Sequence, residues 1–315
     1  MKSWTKTILG IGISCSLLGA ALAGYGFATG GLSDLENSTD IVGNVNYQKA
    51  NLDSFSKIDI DSTTSDVIIS KANIDSTTSD VIISKANIDK PFISYSDNKK
   101  TPVNYEVKDD TLTVKQTGTR TQLGNTNIHF LSLRDIIGIA KTGIIENSHT
   151  IVISVPQDTD LTSVKANLSS GDLDISQLSL DTATLKLLAG ELTLNNTTLN
   201  SGTVNITSGD AEIENSNLAN IAFSITTGDI DLENSQASDT TFELSMGDFS
   251  ANAATFKNDN TITMTTGEVD ITLASKDLKV LMTNLLGDAD ITSNLNQSSK
   301  NTLTIDGNVG DITVQ

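Results

Sequence analysis

Apolar and polar residues alternate along most of the chain, in short runs that are separated by Gly, Asn, Asp and Ser. The runs "SKIDIDS", "TLTVK" and "TIVISV" are examples. Successive side chains of a β-strand point to opposite faces, so a spacing of two places the apolar side chains of each run on one face. The pattern predicts an all-β chain of many short strands joined by polar turns.

The second half of the chain repeats, and its marker is a Gly followed by an acidic residue. The markers are Gly171-Asp172, Gly190-Glu191, Gly209-Asp210, Gly228-Asp229, Gly247-Asp248, Gly267-Glu268, Gly287-Asp288 and Gly310-Asp311. The first five lie nineteen residues apart, the next two steps are twenty residues, and the last is twenty-three. Eight markers in near-constant register indicate a repeat architecture.

Apolar residues keep fixed positions relative to each marker: five and three residues before the Gly, and two, four and nine residues after it. Around Gly228 they are Phe223, Ile225, Ile230, Leu232 and Ala237. One such unit cannot bury its apolar face, but units stacked about 4.8 Å apart can. The predicted fold is a single-stranded, β-helix-like β-solenoid with coils of 19–20 residues. A β-sandwich would not keep this register for eight cycles.

An identical segment occurs twice, since residues 61–74 recur without change as residues 75–88. With Ser65 and Ser79 at the turn position, the apolar residues of both copies fall into the inward columns. Fourteen is an even number, so the repeat does not exchange the two strand faces. We expect the copies to stack as in-phase units, a recent duplication that the stack tolerates and that has no binding function of its own.

The N-terminal region has the character of a membrane segment. Residues 8–29 contain no charged residue, follow Lys2 and Lys6, and precede Asp34 and Glu36. This length suffices for one transmembrane helix, and the flanking charges place the C-terminal domain outside the plasma membrane. Cleavage after "ALA" (21–23) and a lipid on Cys15 remain alternatives.

The composition divides the chain into five regions. They are a membrane anchor or signal segment (1–30), a linker (31–49), N-terminal strand repeats with a hairpin that turns at Asp109-Asp110 (50–117), an irregular insertion (118–150) and the solenoid repeats (151–315). The insertion contains "FLSLRDIIGIAKTGII", which is unusually apolar for a connection. It is interpreted either as a short helix that covers an open face of the solenoid or as a surface that meets a membrane or a partner.

Charge and composition exclude several functions. The net charge of −19 argues against binding to a nucleic-acid backbone. The single Cys excludes an intramolecular disulfide. Secreted Gram-positive proteins often lack disulfides, so this does not indicate a cytosolic protein. His129 and His149 show no metal-ligand spacing, so no catalytic residue, metal site or cofactor is predicted.

The acidic residues of the markers are the candidate functional residues. Stacking would align Asp172, Glu191, Asp210, Asp229, Asp248, Glu268, Asp288 and Asp311, which we call the acidic ribbon. Two residues further on, a second outward row contains Asp174, Glu212, Asp231, Asp270 and Asp290. The ribbon is interpreted either as turn residues that bond to backbone N–H groups or as a polyanionic surface that gathers divalent cations or cationic peptides.

Several segments resemble a family of bacterial envelope proteins with β-strand repeats, a domain of unknown function labelled adhesin. The resemblance rests on "SKIDIDSTTSDVIIS", "YEVKDDTLTVKQ", "TIVISVPQDTDL", "TSGDAEIENS", "TTGDIDLENS" and "GDITVQ", and covers roughly residues 50–315. It implies an N-terminal membrane segment and an outward β domain, and some relatives act in cell-envelope stress responses.

The expected function is that of a non-enzymatic envelope or cell-surface protein that presents an acidic solenoid for adhesion or interaction. Its expected partners are the membrane, through the N-terminal helix, and an envelope protein, peptide or surface ligand. One alternative is an envelope-stress sensor or modulator that engages cationic antimicrobial peptides. Another is a carbohydrate-active solenoid enzyme, although one Trp is a poor supply of sugar-stacking platforms.

Overall fold

The computed structural model describes residues 46–71, 88–97, 99, 101–118, 150–284, 287–307 and 310–315. The chain divides into two units, Met1–Val45 and Asn46–Gln315, and all described residues belong to the second. The predicted transmembrane helix therefore lies outside the described residues. Among the residues that are described, no helix has the length and hydropathy that a membrane span requires.

Every regular element of this described part is a β-strand, which confirms the predicted all-β class. The N-terminal strands are β1 (Asn46–Asn51), β2 (Lys57–Ser62), β3 (Asp66–Lys71), β4 (Phe92–Asp97), β5 (Val103–Lys108), β6 (Thr111–Gln116) and β7 (Thr150–Val155). Strand β1 begins inside the region 31–49 that the sequence suggests is a linker. Residues 119–149 of the predicted insertion lie outside the described ranges, so both interpretations of that segment stay predictions.

The regular coils follow, with three strands each. They comprise β8 (Ser163–Leu168), β9 (Leu173–Ser176), β10 (Ser179–Leu180), β11 (Thr182–Leu187), β12 (Leu192–Asn195), β13 (Thr198–Leu199), β14 (Gly202–Ser208), β15 (Ala211–Glu214), β16 (Asn217–Ala219), β17 (Ile221–Thr227), β18 (Ile230–Glu233), β19 (Gln236–Ser238) and β20 (Thr241–Met246). The C-terminal strands are β21 (Phe249–Lys257), β22 (Asp259–Met264), β23 (Val269–Leu273), β24 (Lys279–Thr283), β25 (Ala289–Ile291), β26 (Thr302–Gly307) and β27 (Ile312–Val314).

Parallel pairing between coils produces three walls around one core. Sheet A has the order β1-β4-β7-β3-β9-β12-β15-β18-β21-β23-β27-β25, and sheet B the order β5-β6-β2-β8-β11-β14-β17-β20-β22-β26-β24. The short sheet C contains β10, β13, β16 and β19 and joins sheet A through β21. The predicted solenoid-like architecture of stacked coils is therefore correct.

The core lies where the period of nineteen residues places it. In register, Val204 pairs with Phe223 and Ile206 with Ile225, and all four side chains are buried. Phe242 stacks on Phe223 with ring centroids 5.3 Å apart. Each fully buried apolar side chain contributes about 1.5–3 kcal/mol, so these continuous inward columns are the main source of stability.

One corner of the coils turns through residues with positive φ that the sequence analysis did not single out. Between sheets A and C, Asn196, Asn215 and Asn234 have φ of 50°, 50° and 48°. Asn tolerates this left-handed conformation better than most residues. Just after this corner, the buried hydroxyl of Ser216 accepts a hydrogen bond from Thr197 N at 3.0 Å, and Ser235 Oγ accepts one from Ser216 N at 3.0 Å.

The order of coils differs from the order of the chain at both ends. Strand β27 lies between β23 and β25, and β26 lies between β22 and β24, so the last strands of the chain fill the gap before the outermost coil. At the N-terminal end, β2 pairs with β6 and β8, and β3 pairs with β7 and β9. Strands β4, β5 and β1 add antiparallel pairs beyond them.

This arrangement corrects the interpretation of the duplicated segment. The first copy does place Ser65 at the turn position, because Val67 pairs with Leu173 and Ile69 with Ile175. Both hydrogen-bonding edges of β2 and β3 are filled by other described strands, so these strands leave no free edge on which another copy could pair. The second copy itself, apart from Ile88, lies outside the described residues. The predicted hairpin at Asp109-Asp110 is confirmed, with φ of 49° and 61° at its turn.

Candidate functional site

The candidate site lies at and beside the corner where a strand of sheet B passes into a strand of sheet A. At this corner Gly209 has a φ of +138°, a conformation open essentially to Gly alone. A Cβ atom added to Gly209 would lie 2.0 Å from the carbonyl oxygen of Gly190 in the neighbouring coil. The glycines therefore stack directly on one another, and each acidic residue that follows is held at the same position in every coil.

The structure brings the eight residues of the acidic ribbon into one column and adds a ninth. In spatial order the column is Asp66, Asp172, Glu191, Asp210, Asp229, Asp248, Glu268, Asp311 and Asp288. Asp311 precedes Asp288 because β27 lies inside β25. The sequence analysis missed Asp66, although Ser65-Asp66 occupies the place of a Gly-acid pair. Whether the column binds a ligand stays a prediction.

Aspartates of the ribbon form a hydrogen-bonded ladder along the stack. Asp210 Oδ1 accepts a hydrogen bond from Asp229 N at 2.8 Å, and Asp229 Oδ1 accepts one from Asp248 N at 2.7 Å. Asp248 Oδ1 accepts one from Glu268 N at 2.8 Å, and the ladder also contains Asp66-Asp172, Asp172-Glu191 and Asp311-Asp288. Bonds from N–H groups to carboxylates are strong, so the ladder offsets part of the repulsion between like charges. The predicted bonding of these turn residues to backbone N–H groups is confirmed.

The ladder is interrupted where the ribbon residue is Glu. Asp172 Oδ1 accepts a bond from Glu191 N at 2.9 Å, but no such bond joins Glu191 to the N–H of Asp210 in the described structure. A Glu side chain is one methylene group longer than that of Asp, and this is the difference between the acceptors of the ladder and the residues at which it stops. Burial raises the pKa of Glu191, and the nearby carboxylates of Glu212, Asp172 and Asp210 raise it further.

The outward face of sheet A carries further carboxylates on two adjacent strands. Glu212 of β15 pairs in register with Asp231 of β18, and Glu214 pairs with Glu233. These four residues, together with Asp210 and Asp229 of the ribbon, make a group of six carboxylates that we call the acidic face. In the described part of the chain, none of the six carboxylates forms an ion pair with a lysine or arginine. Like charges directly opposite one another destabilise a sheet, so stability alone does not favour this arrangement.

A shallow groove of about 220 Å³ runs over this face. It is lined by Glu212, Ile213, Glu214, Asp231, Leu232, Glu233, Ser250 and Asn252. Desolvation raises the pKa of Asp231 and a hydrogen bond with Ser250 opposes the rise. Among the described residues, no group of three or more His, Cys, Asp or Glu side chains is arranged to hold a metal ion.

The second outward row is less continuous than the sequence suggests. Thr193 lies between Asp174 and Glu212, Ser250 lies between Asp231 and Asp270, and Thr313 lies between Asp270 and Asp290. Burial raises the pKa of Asp174, while a hydrogen bond from the Ser176 hydroxyl lowers it. Hydroxyl residues thus separate most acids of this row, and only Glu212 and Asp231 are direct neighbours.

The opposite wall of the same two coils carries no charge. On β14 the outward residues include Thr203 and Asn205, and on β17 they include Ala222 and Ser224, in register with one another. Further along sheet B, Lys165 Nζ pairs with Asp59 Oδ2 at 3.0 Å between exposed side chains. The negative charge of these coils is therefore concentrated on sheet A.

The family model "Toastrack DUF4097" matches residues 55–315. No curated protein matches the chain. A "putative adhesin" from Bacteroides fragilis is 14% identical, with 85% of this chain and 95% of that chain covered and a TM-score of 0.46.

Two further solved structures have similar sequence identity and coverage. A "putative lipid binding protein" from Parabacteroides distasonis is 12% identical, with 87% of this chain and 98% of that chain covered and a TM-score of 0.43. A "putative adhesin" from Parabacteroides merdae is 13% identical, with 86% and 95% covered and a TM-score of 0.34. By the family match, which spans most of its length, the chain belongs to the Toastrack DUF4097 family.

Proposed function

We propose that the protein is a non-enzymatic interaction protein of the bacterial envelope, and that its acidic face binds a polycationic ligand. The ligand would be a cationic peptide or a lysine-rich segment of an envelope protein. The observation that carries the proposal is the set of six carboxylates on β15 and β18 and directly before them, which have no cationic partner in the described part of the chain. Such an arrangement costs stability, and a cationic ligand would relieve that cost.

The spacing of the carboxylates suits an extended peptide. Asp229, directly before β18, and Asp231 and Glu233 within it are each two residues apart, which corresponds to about 6.6 Å in a strand. Alternate side chains of an extended ligand have the same spacing, so lysines at alternate positions would meet successive carboxylates. A cationic antimicrobial peptide belongs to this class of ligand, which keeps an envelope-stress role compatible with the same surface.

Two other functions receive less support from this surface. A calcium ion takes six to eight oxygen ligands at about 2.3–2.6 Å, whereas the described carboxylates do not converge on such a centre. A carbohydrate-active enzyme would be expected to line its groove with aromatic rings, and the residues that line this groove include none. The phenylalanines of these coils, Phe223 and Phe242, are buried in the core.

The location of the protein rests on the sequence and belongs to the same proposal. Residues 8–29 would span the plasma membrane once and leave the β domain outside. Protease added to intact cells should then degrade the β domain, and the membrane-bound form should retain Met1. A mature N-terminus at Gly24, or a lipid on Cys15, would contradict an uncleaved anchor.

The peptide proposal is tested with a charge-matched control. In one variant Glu212, Glu214 and Glu233 become Gln and Asp231 becomes Asn; in the control, Glu106 becomes Gln and Asp158, Asp160 and Asp181 become Asn. Both lose four negative charges, but only the first loses them from the acidic face. Titration with fluorescent octalysine at low and moderate salt should show at least about tenfold weaker binding for the first variant alone. Equal losses in both variants would mean that net charge, rather than this face, attracts the peptide.

A further inference from the structure

The stack of coils ends at β24 and β25, and the core is open to solvent at this end. Among the described strands, β24 pairs only with β26, and β25 pairs only with β27. Leu303 and Ile305 of β26 are buried in the core. Val280 and Met282 continue their columns into β24, but Val280 is only half-buried and Met282 is 40% exposed. Solenoids usually finish in a coil with a polar outer surface, so this end leaves apolar surface unused.

The outer face of β24 is apolar at a position where the neighbouring strands carry a hydroxyl. Leu281 pairs in register with Thr304 of β26, and Thr304 pairs with Thr261 of β22. The Leu281 side chain is 40% exposed. Charged residues, Pro or bulges normally protect an edge strand from pairing with another chain, and an exposed Leu gives no such protection.

The other free edges of the described sheets are less open to a partner strand. Strand β1 carries Lys49, β5 carries Glu106 and Lys108, and β25 carries Asp290. Strand β10 is only two residues long. The single charge of β24 is Lys279, and the strand contains no acidic residue although the chain has a net charge of −19. A second copy of this chain would therefore meet the least electrostatic repulsion at β24.

The unused backbone groups of β24 determine the register of a partner strand. Lys279 N donates a hydrogen bond to Asn301 O at 2.9 Å, so the backbone groups of Lys279 and Leu281 are directed at β26. Alternate residues of a strand direct these groups to opposite edges, so the N–H and C=O groups of Val280 and Met282 point away from β26. No strand in the described part of the chain pairs with them. A partner must match these two residues.

We propose that a second copy of the chain docks on this edge, and that the two β24 strands pair antiparallel about Leu281. In this register Val280 of one copy faces Met282 of the other, and every outward N–H and C=O group of both residues is bonded. Leu281 faces its own counterpart in a non-hydrogen-bonded pair, with Cβ atoms about 4.5–5.5 Å apart. The contact is the same on both sides of a two-fold axis, so it closes as a dimer and does not propagate into a filament.

The charges beside this edge fit the same arrangement. Lys279 of each copy faces Thr283 of the other, since both lie two residues from Leu281. Thr283 pairs in register with Asp306 of β26 and donates a hydrogen bond to its carboxylate. Lys279 is then two strand spacings, or about 10 Å, from Asp306 of the other copy, a distance that the two side chains can span. The dimer would contain this attractive pair twice.

The first test uses single cysteines in the full chain with Cys15→Ser, which removes the only native Cys. The protein is kept in a mild detergent and oxidised with diamide. Leu281→Cys should give a covalent dimer on a non-reducing gel, because the facing Cβ atoms lie within disulfide range. Leu188→Cys is the matched control, since Leu188 is also exposed, and it should cross-link at least about tenfold less. No dimer with Leu281→Cys, or an equal yield with Leu188→Cys, would overturn the proposal.

A second measurement tests the register. Lys279→Cys and Thr283→Cys should each form little dimer alone, because the two positions lie four residues, or about 13 Å, apart along the strand. A mixture of the two variants should form the mixed disulfide, since Lys279 of one copy faces Thr283 of the other. Efficient cross-linking of Lys279→Cys with itself would mean another register and contradict the proposed pair.

The dimer should also be sensitive to charge at its centre. Leu281→Asp places two carboxylates opposite each other and should raise the dimer Kd at least about tenfold in sedimentation equilibrium of the full chain. Leu188→Asp, the control, should leave the Kd unchanged. A dimer that Leu281→Asp leaves intact would be held by another part of the chain, and a monomeric wild type would mean that the edge has a different occupant. Either result would overturn the proposal.

Discussion

At the corner where sheet B passes into sheet A, each Gly-Asp pair meets two separate requirements of the stack. The Gly permits both a positive φ and contact with the backbone of the preceding coil, as at Gly209, whose Cβ would overlap the Gly190 oxygen. The Asp then accepts a hydrogen bond from the N–H of the next acidic residue, as Asp229 does from Asp248. The first requirement is steric and the second is electrostatic, so substitutions can separate them.

Gly209→Ala should therefore be severely destabilising. The added Cβ would lie 2.0 Å from Gly190 O, at a φ of +138°. We expect a loss of more than about 3 kcal/mol in the free energy of unfolding, measured by urea denaturation. Gly310→Ala is the matched control, because its nearest neighbour would be Gly267 O at 3.0 Å and its φ is not in the left-handed region. Similar losses for both variants would show that the close stacking of glycines is not the cause.

Exchanging Asp and Glu within the ribbon should change stability in opposite directions. Asp229→Glu removes the acceptor of the bond from Asp248 N, while Glu191→Asp supplies an acceptor for the N–H of Asp210. Neither substitution changes the net charge, so the effect of each comes from one hydrogen bond. We expect Asp229→Glu to lower the free energy of unfolding, and Glu191→Asp to raise it, by about 0.5–1.5 kcal/mol. Chemical denaturation of both variants checks this, and a shift in the same direction for both would contradict the ladder.

The raised pKa of Glu191 gives a pH-dependent prediction. Since the folded state raises this pKa through burial and neighbouring carboxylates, the folded state binds the proton more tightly than the unfolded state. Ionisation of Glu191 therefore lowers stability as pH rises from the ordinary carboxyl range through the raised pKa. Glu191→Gln should be more stable than the wild type at pH 7, by less than about 1 kcal/mol, and the gain should vanish at pH 3.

Asp239 provides the opposite case, and thermal melts of both variants at pH 7 and pH 3 test the two predictions together. Hydrogen bonding from Asn258 lowers the pKa of this exposed carboxyl, so its ionised form favours the folded state. The stabilising effect is present above the ordinary Asp pKa and is lost as pH falls through the lowered value. Asp239→Asn should show no gain at pH 7. A gain like that of Glu191→Gln would mean that only the net charge matters.

At the scale of elements, strand pairing is uniform enough for the chain to leave and re-enter the stack out of order. Strands β26 and β27 fill a gap inside β24 and β25, and β6 and β7 pair with the first copy of the repeat. Every parallel strand presents the same inward spacing, so many partners satisfy the same columns. The order in which strands stack is therefore a long-range property of the fold.

The duplicated segment gives a test of this topology. A deletion of residues 75–88 leaves six residues between β3 and β4, and a deletion of residues 75–87 leaves seven. If the second copy were a coil, the odd deletion would exchange the strand faces and be far worse. Because it lies in a connection, we expect the two deletions to differ by less than about 0.6 kcal/mol in thermal melts. If the deletion of residues 75–87 were much less stable than the deletion of residues 75–88, the second copy would have to be a coil of the stack.

Sequence reasoning recovered those features that depend on local patterns. Apolar spacing around Gly228 identified the buried residues, and Asp109-Asp110 identified the hairpin, because turn and strand preferences act over a few residues. It missed Asp66, whose preceding turn residue is Ser rather than Gly, and the left-handed Asn196, Asn215 and Asn234 corner. It also placed Asp288 before Asp311 in the ribbon. Strand order is decided by which edge is free, and no local pattern records that.

At the scale of the whole molecule, the distribution of charge matters more than its sum. The chain has a net charge of −19, which by itself indicates solubility and long-range attraction of cations. The coils that contain β15 and β18 concentrate six carboxylates on sheet A, while the outward residues Thr203, Asn205, Ala222 and Ser224 of sheet B are uncharged. A ligand drawn by the overall charge would therefore encounter one preferred wall.

Carboxylate footprinting tests this central claim most directly. The folded protein is labelled with a water-soluble carbodiimide and an amine, with and without octalysine, and each modified residue is quantified by mass spectrometry. The account predicts that octalysine protects Glu212, Glu214, Asp231 and Glu233, that added salt removes this protection, and that Glu106 and Asp158 react equally in both samples. Uniform protection of all exposed carboxylates, or protection confined to residues outside sheet A, would contradict it.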